Sequence, residues 1–509
     1  MSEIYLYEPK NNKNADYNVF MAFPECESFS LSSLGYMWLS KILEEDEEFN
    51  AERISTDTNK TRINPKEIDA IGFSISFDMD FINVFSILEK YGIPLKSSDR
   101  ENGPIVFAGG PVMTDNPEPY REFFDYIVIG DGDTLNLEAL KICKQNKHKP
   151  KKEILEALAK LDGVYVPNFS SFVKKYTSGL SNCIYTPIIT DKSFFSNTFI
   201  IEVSRGCYNR CGFCVASYLN LPVRFVEYET IIEKIELGLK YTNKIALLGA
   251  LISSHPRFND ICEYIYTRIQ NGENIEMSVS SLRADAITPN VIKTLVAAGQ
   301  KHSTIAIEGA SERLRRVVNK NLTEEQIFNA VRIMRENGLN GVKIYSMLGI
   351  PTETQEDIDE FVRLGRELKK QNKGFDITFS FSTFVSKPHT PFQWCGKEGI
   401  KSLKKKQKYL TKEFSKIGVK SKFSSPKWDY YQGVLSRGDS SLTDFLIDVY
   451  KEGGKLGAYK SAAKKYGIDT DKLAEGNIDI NEKLPWDFIQ INPYKEFLQK
   501  EYIRLLERD

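Results

Sequence analysis

Three cysteines mark where this chain could do chemistry. Cys207, Cys211 and Cys214 stand in the spacing C-x3-C-x2-C. They follow an apolar run, Phe199, Ile200, Ile201 and Val203, which reads as a buried strand broken by Gly206. Three thiolates on one short loop can hold three irons of a cubane cluster and leave the fourth iron open. Soft thiolates suit iron–sulfur chemistry. Zinc sites are usually closed by four ligands, or keep three with a water. No fourth Cys or His lies close by in sequence; the next are Cys183, His255 and Cys262. Purely structural cysteines fit less well, because free cysteines are usually scattered and not clustered after a strand.

The loop needs elements to hold it. From 199 onward strands and helices alternate. Strands are expected at 199–203, 244–248, 275–280, 304–308, 342–348 and 376–384, with helices between them at 228–241, 258–271, 290–298, 323–336 and 354–370. Thr323 with Gln326 three residues later gives the fourth of these units a capping signal. Six such units predict a partial (β/α)6 barrel, whose chemistry gathers at the carboxyl ends of its strands.

A second α/β unit precedes it. Residues 4–7 are expected to form its first strand, 10–30 a long loop, and 31–43 a helix. Strands follow at 51–55, 68–77, 104–110 and 126–130, with helices at 81–91 and 135–145. This alternation predicts a doubly wound parallel sheet. Its glycine turns, Gly109-Gly110 and Gly130-Asp131-Gly132, fall at the carboxyl edge, where such sheets bind ligands. A turn that simply needs positive φ is an equal explanation for those glycines. The predicted organisation is a Rossmann-like domain over 1–165, a linker over 166–195, the barrel over 196–395 and a helical carboxyl-terminal region over 396–509.

Bulk composition removes several function classes. With 41% hydrophobic residues in 509 the chain can build full cores. Net charge is −1, so no global basic field points to nucleic acid. Eight cysteines in this length are no disulfide framework. No signal-peptide pattern opens the sequence, and no apolar run approaches the ~18 residues of a membrane span. A cytoplasmic protein is expected.

The cysteine loop, with Phe213 just before the last cysteine, resembles the signature of the radical SAM superfamily. That resemblance implies a [4Fe-4S] cluster on Cys207, Cys211 and Cys214, whose open iron binds S-adenosylmethionine and cleaves it to a 5′-deoxyadenosyl radical. It also implies S-adenosylmethionine contacts at the strand ends. Gly249 stands where relatives carry Gly-Gly-Glu; here the sequence is Leu248-Gly249-Ala250, so the carboxylate is missing and backbone carbonyls must replace it. Ser280 and Arg283 end the third strand. Arg283 suits a carboxylate, or else an ion pair with Asp285. Glu308 ends the fourth strand and would meet ribose hydroxyls or the amino group. Gly349 begins Gly-Ile-Pro-Thr-Glu, which resembles a turn near the adenine, or is a plain strand-to-helix turn. The segment 385–394, with His389, Phe392 and Trp394, either closes the barrel mouth or packs as a wall. His255 reads as an ordinary loop residue.

A Rossmann-like domain ahead of this loop resembles the cobalamin-binding domain of B12-dependent radical SAM proteins, which makes Gly109, Gly110 and Gly130 cobalamin contacts. The Asp-x-His-x-x-Gly loop that ligates cobalt from below is absent, and His148 lies outside any such motif. SLRAD, IEGASERLRRVVNK, GIPTETQEDI, SKPHTPFQW, DYYQGVLSRGD and LPWDFIQI together resemble the fused B12-binding-domain radical SAM family that carries a carboxyl-terminal extension. The resemblance implies cobalamin-dependent methyl transfer to an unactivated carbon, with an electron donor such as flavodoxin or ferredoxin. Catalytic residues beyond the cofactor contacts, and the substrate, are not named by it. Two rivals stand. One keeps the radical and drops methyl transfer in favour of rearrangement or methylthio transfer; isolated Cys262 and Cys395 give it no auxiliary cluster. The other is an RNA-binding subunit using the basic helix over 401–408, though charge runs usually face solvent and nucleic acid is not expected.

Overall fold

The computed structural model describes residues 3–10, 15–180 and 183–507. Its first layer is a six-stranded sheet. The strands are β1 (Asn18–Phe23), β2 (Asn50–Ser55), β3 (Ala70–Ser74), β4 (Ile105–Gly109), β5 (Tyr126–Val128) and β6 (Val164–Tyr165). Their order is β2-β1-β3-β4-β5-β6, all parallel except β6. The doubly wound parallel sheet is present.

Two details correct the expectation. The stretch read as a loop over 10–30, of which 11–14 lie outside the described residues, contains the interior strand β1. Asn18-Val-Phe-Met-Ala-Phe23 is almost wholly buried, and a fully buried parallel strand shows no alternation to reveal it. Ile4–Tyr5 does form a strand, but outside this sheet. It pairs antiparallel with Ile188–Ile189.

The second layer holds β7 (Thr198–Arg205), β8 (Lys244–Gly249), β9 (Glu276–Val279), β10 (His302–Glu308), β11 (Gly341–Leu348) and β12 (Asp376–Thr383). They run parallel where they pair with one another, and the short strand Arg224–Phe225 adds antiparallel to the outer edge of β7. The hydrogen-bonded ladder breaks between β9 and β10, where one bridge, Leu282 to Ile305, joins the halves. A seventh strand, β13 (Lys420–Phe423), adds in parallel to β12. Its sequence, Lys-Ser-Lys-Phe, has too little apolar character to announce a strand.

Alternation along each strand sorts the barrel's faces. Ile305, Ile307, Val342, Ile344, Ile377, Phe379 and Phe381 point outward, into a core shared with the surrounding helices. The other face of β8–β13 carries mostly polar residues and is not covered by those helices. The carboxyl-terminal helices Pro426–Arg437, Thr443–Lys451 and Leu456–Tyr466 pack into the core on one face of the first sheet. They thus tie the end of the chain back to its beginning.

Candidate functional site at the sheet edges

Gly206, at φ 82, turns the chain out of β7, and a Cβ there would lie 2.3 Å from Asn220 O. The loop then runs through Cys207 and Cys211, both buried, to Cys214, which is half-buried. It is held from outside by a second loop. The Asn319 carboxamide donates to Asn209 O and Arg210 O, each at 3.0 Å, and Gly212 N donates to Val318 O at 3.1 Å. Arg210, Asn319 and Asn321 are all left-handed.

Beneath the loop lies an apolar floor. Phe213 packs with Leu314, Val317, Phe384, Phe392 and Leu505. A Cβ on Gly212 would meet Leu505 at 2.7 Å and Phe392 at 3.0 Å, so this glycine lets the loop sit down on its floor. Phe392 and Trp394 are fully buried, and Phe392 N donates to Gly212 O. The 385–394 segment is therefore a wall behind the loop. His389 is buried in it, and burial pushes its imidazole down to about 3, so it stays neutral. His255 is also structural: it is buried, with Nε2 2.8 Å from Val226 O.

Among the described residues no three His, Cys, Asp or Glu side chains converge on a single-ion site. A cubane gives each thiolate its own iron, so cysteines spread round a loop fit a cluster better than a lone zinc. Burial pushes the Cys211 thiol up to about 12 against the pull of Lys320. A bare thiolate there is costly, and a bound metal would supply the missing charge.

The strand ends converge beside this loop. Glu308 closes β10 at φ 65, and Lys320 Nζ donates to its Oε1 at 2.9 Å. Lys320 is buried and feels both Cys211 and Arg283. Arg283 in turn feels Cys211 and Cys207, and its Nε and Nη2 close on Asp285 at 2.9 and 2.8 Å. Ser280 is exposed just past β9. Gly249 ends β8, where a Cβ would come within 2.2 Å of Ser204 Oγ, a buried hydroxyl with no hydrogen-bond partner among the described residues. Gly349, at φ 74, donates its N–H to Glu353 Oε1 at 3.0 Å, and Glu353 meets Lys406 at 2.6 Å. That turn is closed by its own glutamate. Sequence reasoning missed Asn319 and Lys320. The polar run Asn319-Lys320-Asn321 that ends the helix Glu312–Val317 was the available signal, since Asn tolerates left-handed backbone.

The glycine edge of the first sheet faces the same region across a cleft of about 370 Å3. Gly109, Gly110, Gly130 and Gly132 line one side; Glu202, Arg205, Val215, Leu219 and Asn220 line the other. Val215 directly follows Cys214. Gly110 and Gly130 have φ of 104 and 113, and a Cβ on them would lie 2.5 Å from Ile75 O and 2.1 Å from Tyr176 O. Their own backbone packing thus demands glycine before any ligand does. Among the described residues no histidine lines the cleft. His148 acts electrostatically on Asp69, which precedes β3 at the opposite, amino edge of the sheet. The cleft is roomy, glycine-edged and mostly apolar, and so fits a large flat cofactor without a protein histidine beneath it.

The comparisons agree with this geometry. Residues 37–167 match the family model described as radical SAM proteins, N-terminal, and residues 201–365 match the radical SAM superfamily. A Methanocaldococcus jannaschii protein, MJ0966, is 30% identical over 391 residues, covering 75% of this chain and 80% of its own. The chain belongs to the radical SAM superfamily. A tRNA-2-methylthio-N(6)-dimethylallyladenosine synthase from Phocaeicola vulgatus is 28% identical over 218 residues, 38% of this chain and 44% of that protein. Among solved structures, the cobalamin-dependent S-adenosylmethionine radical enzyme OxsB with aqua-cobalamin bound aligns over 97% of this chain and 81% of its own, with TM-score 0.57 and 15% identity. The radical S-adenosylmethionine methyltransferase TsrM from Kitasatospora setae, with cobalamin and a [4Fe-4S] cluster bound, aligns over 74% of each chain, with TM-score 0.51 and 15% identity. At such identity the likeness is one of fold.

Proposed function

We propose that this radical SAM enzyme is cobalamin-dependent and transfers a methyl group to an unactivated carbon of its substrate. One observation carries the reading: a single cleft has the glycine edge of the Rossmann-like sheet on one side and the residues that follow Cys214 on the other. A cofactor held there faces the cysteine loop. The printed names of OxsB and TsrM, which pair cobalamin with radical S-adenosylmethionine chemistry, support it.

Cys207, Cys211 and Cys214 would hold the cluster. Gly249, Ser280, Arg283, Glu308 and Gly349 would border S-adenosylmethionine, with Lys320 holding the Glu308 carboxylate in place. Gly109, Gly110 and Gly130 would border cobalamin. When bound, these groups supply a carbon radical and a methyl donor; the protein orients them and keeps water out. The electron would come from a small donor such as flavodoxin or ferredoxin, in the reducing setting of the cytoplasm. No helix among the described residues is long and apolar enough to cross a membrane.

The test is iron, sulfide and cobalt analysis of anaerobically purified protein, with 5′-deoxyadenosine measured after reduction. The expected result is a cluster and cobalamin together, and loss of iron when Cys207, Cys211 and Cys214 are all changed to Ala. Iron that survives the triple change would sink the reading. Iron with no cobalt uptake would move it to a radical enzyme without cobalamin.

A further inference from the structure

The uncovered face of the barrel carries three lysines, two of which have no ion pair among the described residues. Strand register fixes which side chains share that face. Thr304, Lys343, Thr378 and Lys420 lie in one row across β10, β11, β12 and β13. Ala306, Tyr345, Ser380 and Lys422 lie in the next row toward the carboxyl ends. Partners in parallel register point to the same side. Phe379, Phe381 and Phe423 take the opposite side, against the helices.

Three lysines therefore project from one concave surface. Lys420 meets Asp376 at 3.2 Å, both side chains being largely exposed. Lys343 and Lys422 have no ion pair among the described residues; Lys343 Nζ lies over the Tyr345 ring, 4.7 Å from its centroid. Tyr345 is 40% exposed in the middle of the surface. Between the two lysine-bearing strands, β12 contributes the hydroxyls of Thr378 and Ser380, and Thr304 stands on β10 at the far side of Lys343. Lys343 on β11 and Lys422 on β13 thus flank β12 from either side.

We propose that this face binds the phosphate of a phosphate-bearing substrate, with Lys343 and Lys422 as its charge partners and Tyr345 beside the group that carries it. The proposal rests on the radical SAM reading and names the substrate class for it. Lysine rather than arginine decides between anions. A carboxylate is best matched by the planar guanidinium fork, whereas lysine serves phosphate as a mobile point charge. These two rows contain lysine and no arginine. Small hydroxyls complete the donor set for phosphate oxygens. Glu308 at the carboxyl end of β10 is already answered by Lys320, so it does not cancel this field.

The test uses full-length protein as purified, before any cluster is rebuilt, and measures pyrophosphate binding by calorimetry at low salt. Citrate serves as a carboxylate polyanion of similar charge. Pyrophosphate is expected to bind saturably and citrate far more weakly. Lys343→Gln and Lys422→Gln are each expected to weaken pyrophosphate by about tenfold. Lys412→Gln, an exposed lysine on the helix Ile400–Lys416, is the control and leaves binding unchanged. Circular dichroism melting confirms that the variants fold, and Tyr345→Phe gives a second, milder probe of the same surface. Equal affinity for citrate, or wild-type pyrophosphate affinity in both lysine variants, overturns the proposal. Neither result touches cofactor content, so failure here and failure of the cobalamin reading are read on separate instruments.

Discussion

Arg205 Nη1 stands 2.9 Å from Asp131 Oδ1, and this bridge joins the glycine edge of the first sheet to the strand that delivers the cysteine loop. Asp131 follows Gly130; Arg205 precedes Gly206. Arg224 Nη1 meets the other carboxylate oxygen at 2.7 Å, and Ser178 N donates to the same oxygen at 2.9 Å. All three side chains are mostly buried. The spacing between the two candidate cofactor sites is thus set by a carboxylate with two cationic partners.

Asp131→Ala is expected to destabilise the protein by about 3 kcal/mol, because Arg224 loses its carboxylate partner at the buried seam, while Arg205 keeps Glu202. Burial pulls the Asp131 carboxyl upward, but Arg205 and Arg224 outweigh it and hold the group below the usual range. Its stabilising effect is therefore present at neutral pH and lost as pH falls below about 4. Thermal melts of parent and variant should converge in that acid window. A constant offset down to the acid transition would show that the loss does not come from the Asp131 charge, and coincident curves would show that the bridge contributes no stability.

Asn319→Ala should loosen the cysteine loop without unfolding the protein. It removes two donated hydrogen bonds and leaves a non-glycine residue at φ 57, a combined local cost of about 2–3 kcal/mol. The reconstituted variant is expected to lose iron to a chelator faster than the parent, with an unchanged far-ultraviolet spectrum. Equal rates would mean that the loop is held by its apolar floor alone.

What the sequence made legible follows from the range of the interactions. The cysteine spacing, the βα alternation and the strand-end glycines are local, and each could be read in a window of a few residues. β1 was hidden because burial on both faces erases its period, and β13 because a short strand at the edge of a polar lumen carries almost no apolar signal. The Glu308–Lys320 pair bridges 12 positions and Asp131–Arg205 bridges 74, so only the fold brings them together. Arg283 shows the reverse case. Both of its expected partners were legible, but only the folded chain brings Asp285 up to close the guanidinium fork.

Gly109 and Gly110 separate packing from ligand binding. A Cβ at Gly110 would strike Ile75 O at 2.5 Å on a backbone of φ 104, so Gly110→Ala should cost about 2–3 kcal/mol and lower the melting temperature. A Cβ at Gly109 meets only Val128, at 3.5 Å, an ordinary contact. Gly109→Ala should keep the parent's melting temperature yet take up less cobalamin, since it adds a methyl group where the cleft is lined. Full cobalamin uptake by a stable Gly109→Ala protein would remove this residue from the cofactor's border.

Lys397 offers a test of the buried seam between the barrel and the carboxyl-terminal helices. It is 3% exposed, donates from Nζ to Thr383 Oγ1 at 2.8 Å, and has no carboxylate within ion-pair distance among the described residues. Burial pushes its ammonium down to about 8. The unfolded chain holds that proton up to about 10.4, so between these values the unfolded state binds more protons and stability rises with pH. Below pH 8 the native protein carries the full cost of a buried, unpaired charge. Lys397→Met keeps the side chain's length and removes that cost, while Thr383 retains its hydrogen bond to Asp429. The variant is expected to melt several degrees higher than the parent at pH 7, with the gain shrinking as pH rises from 8 through 10.4. A gain that stays constant across that range would trace the effect to packing and not to charge.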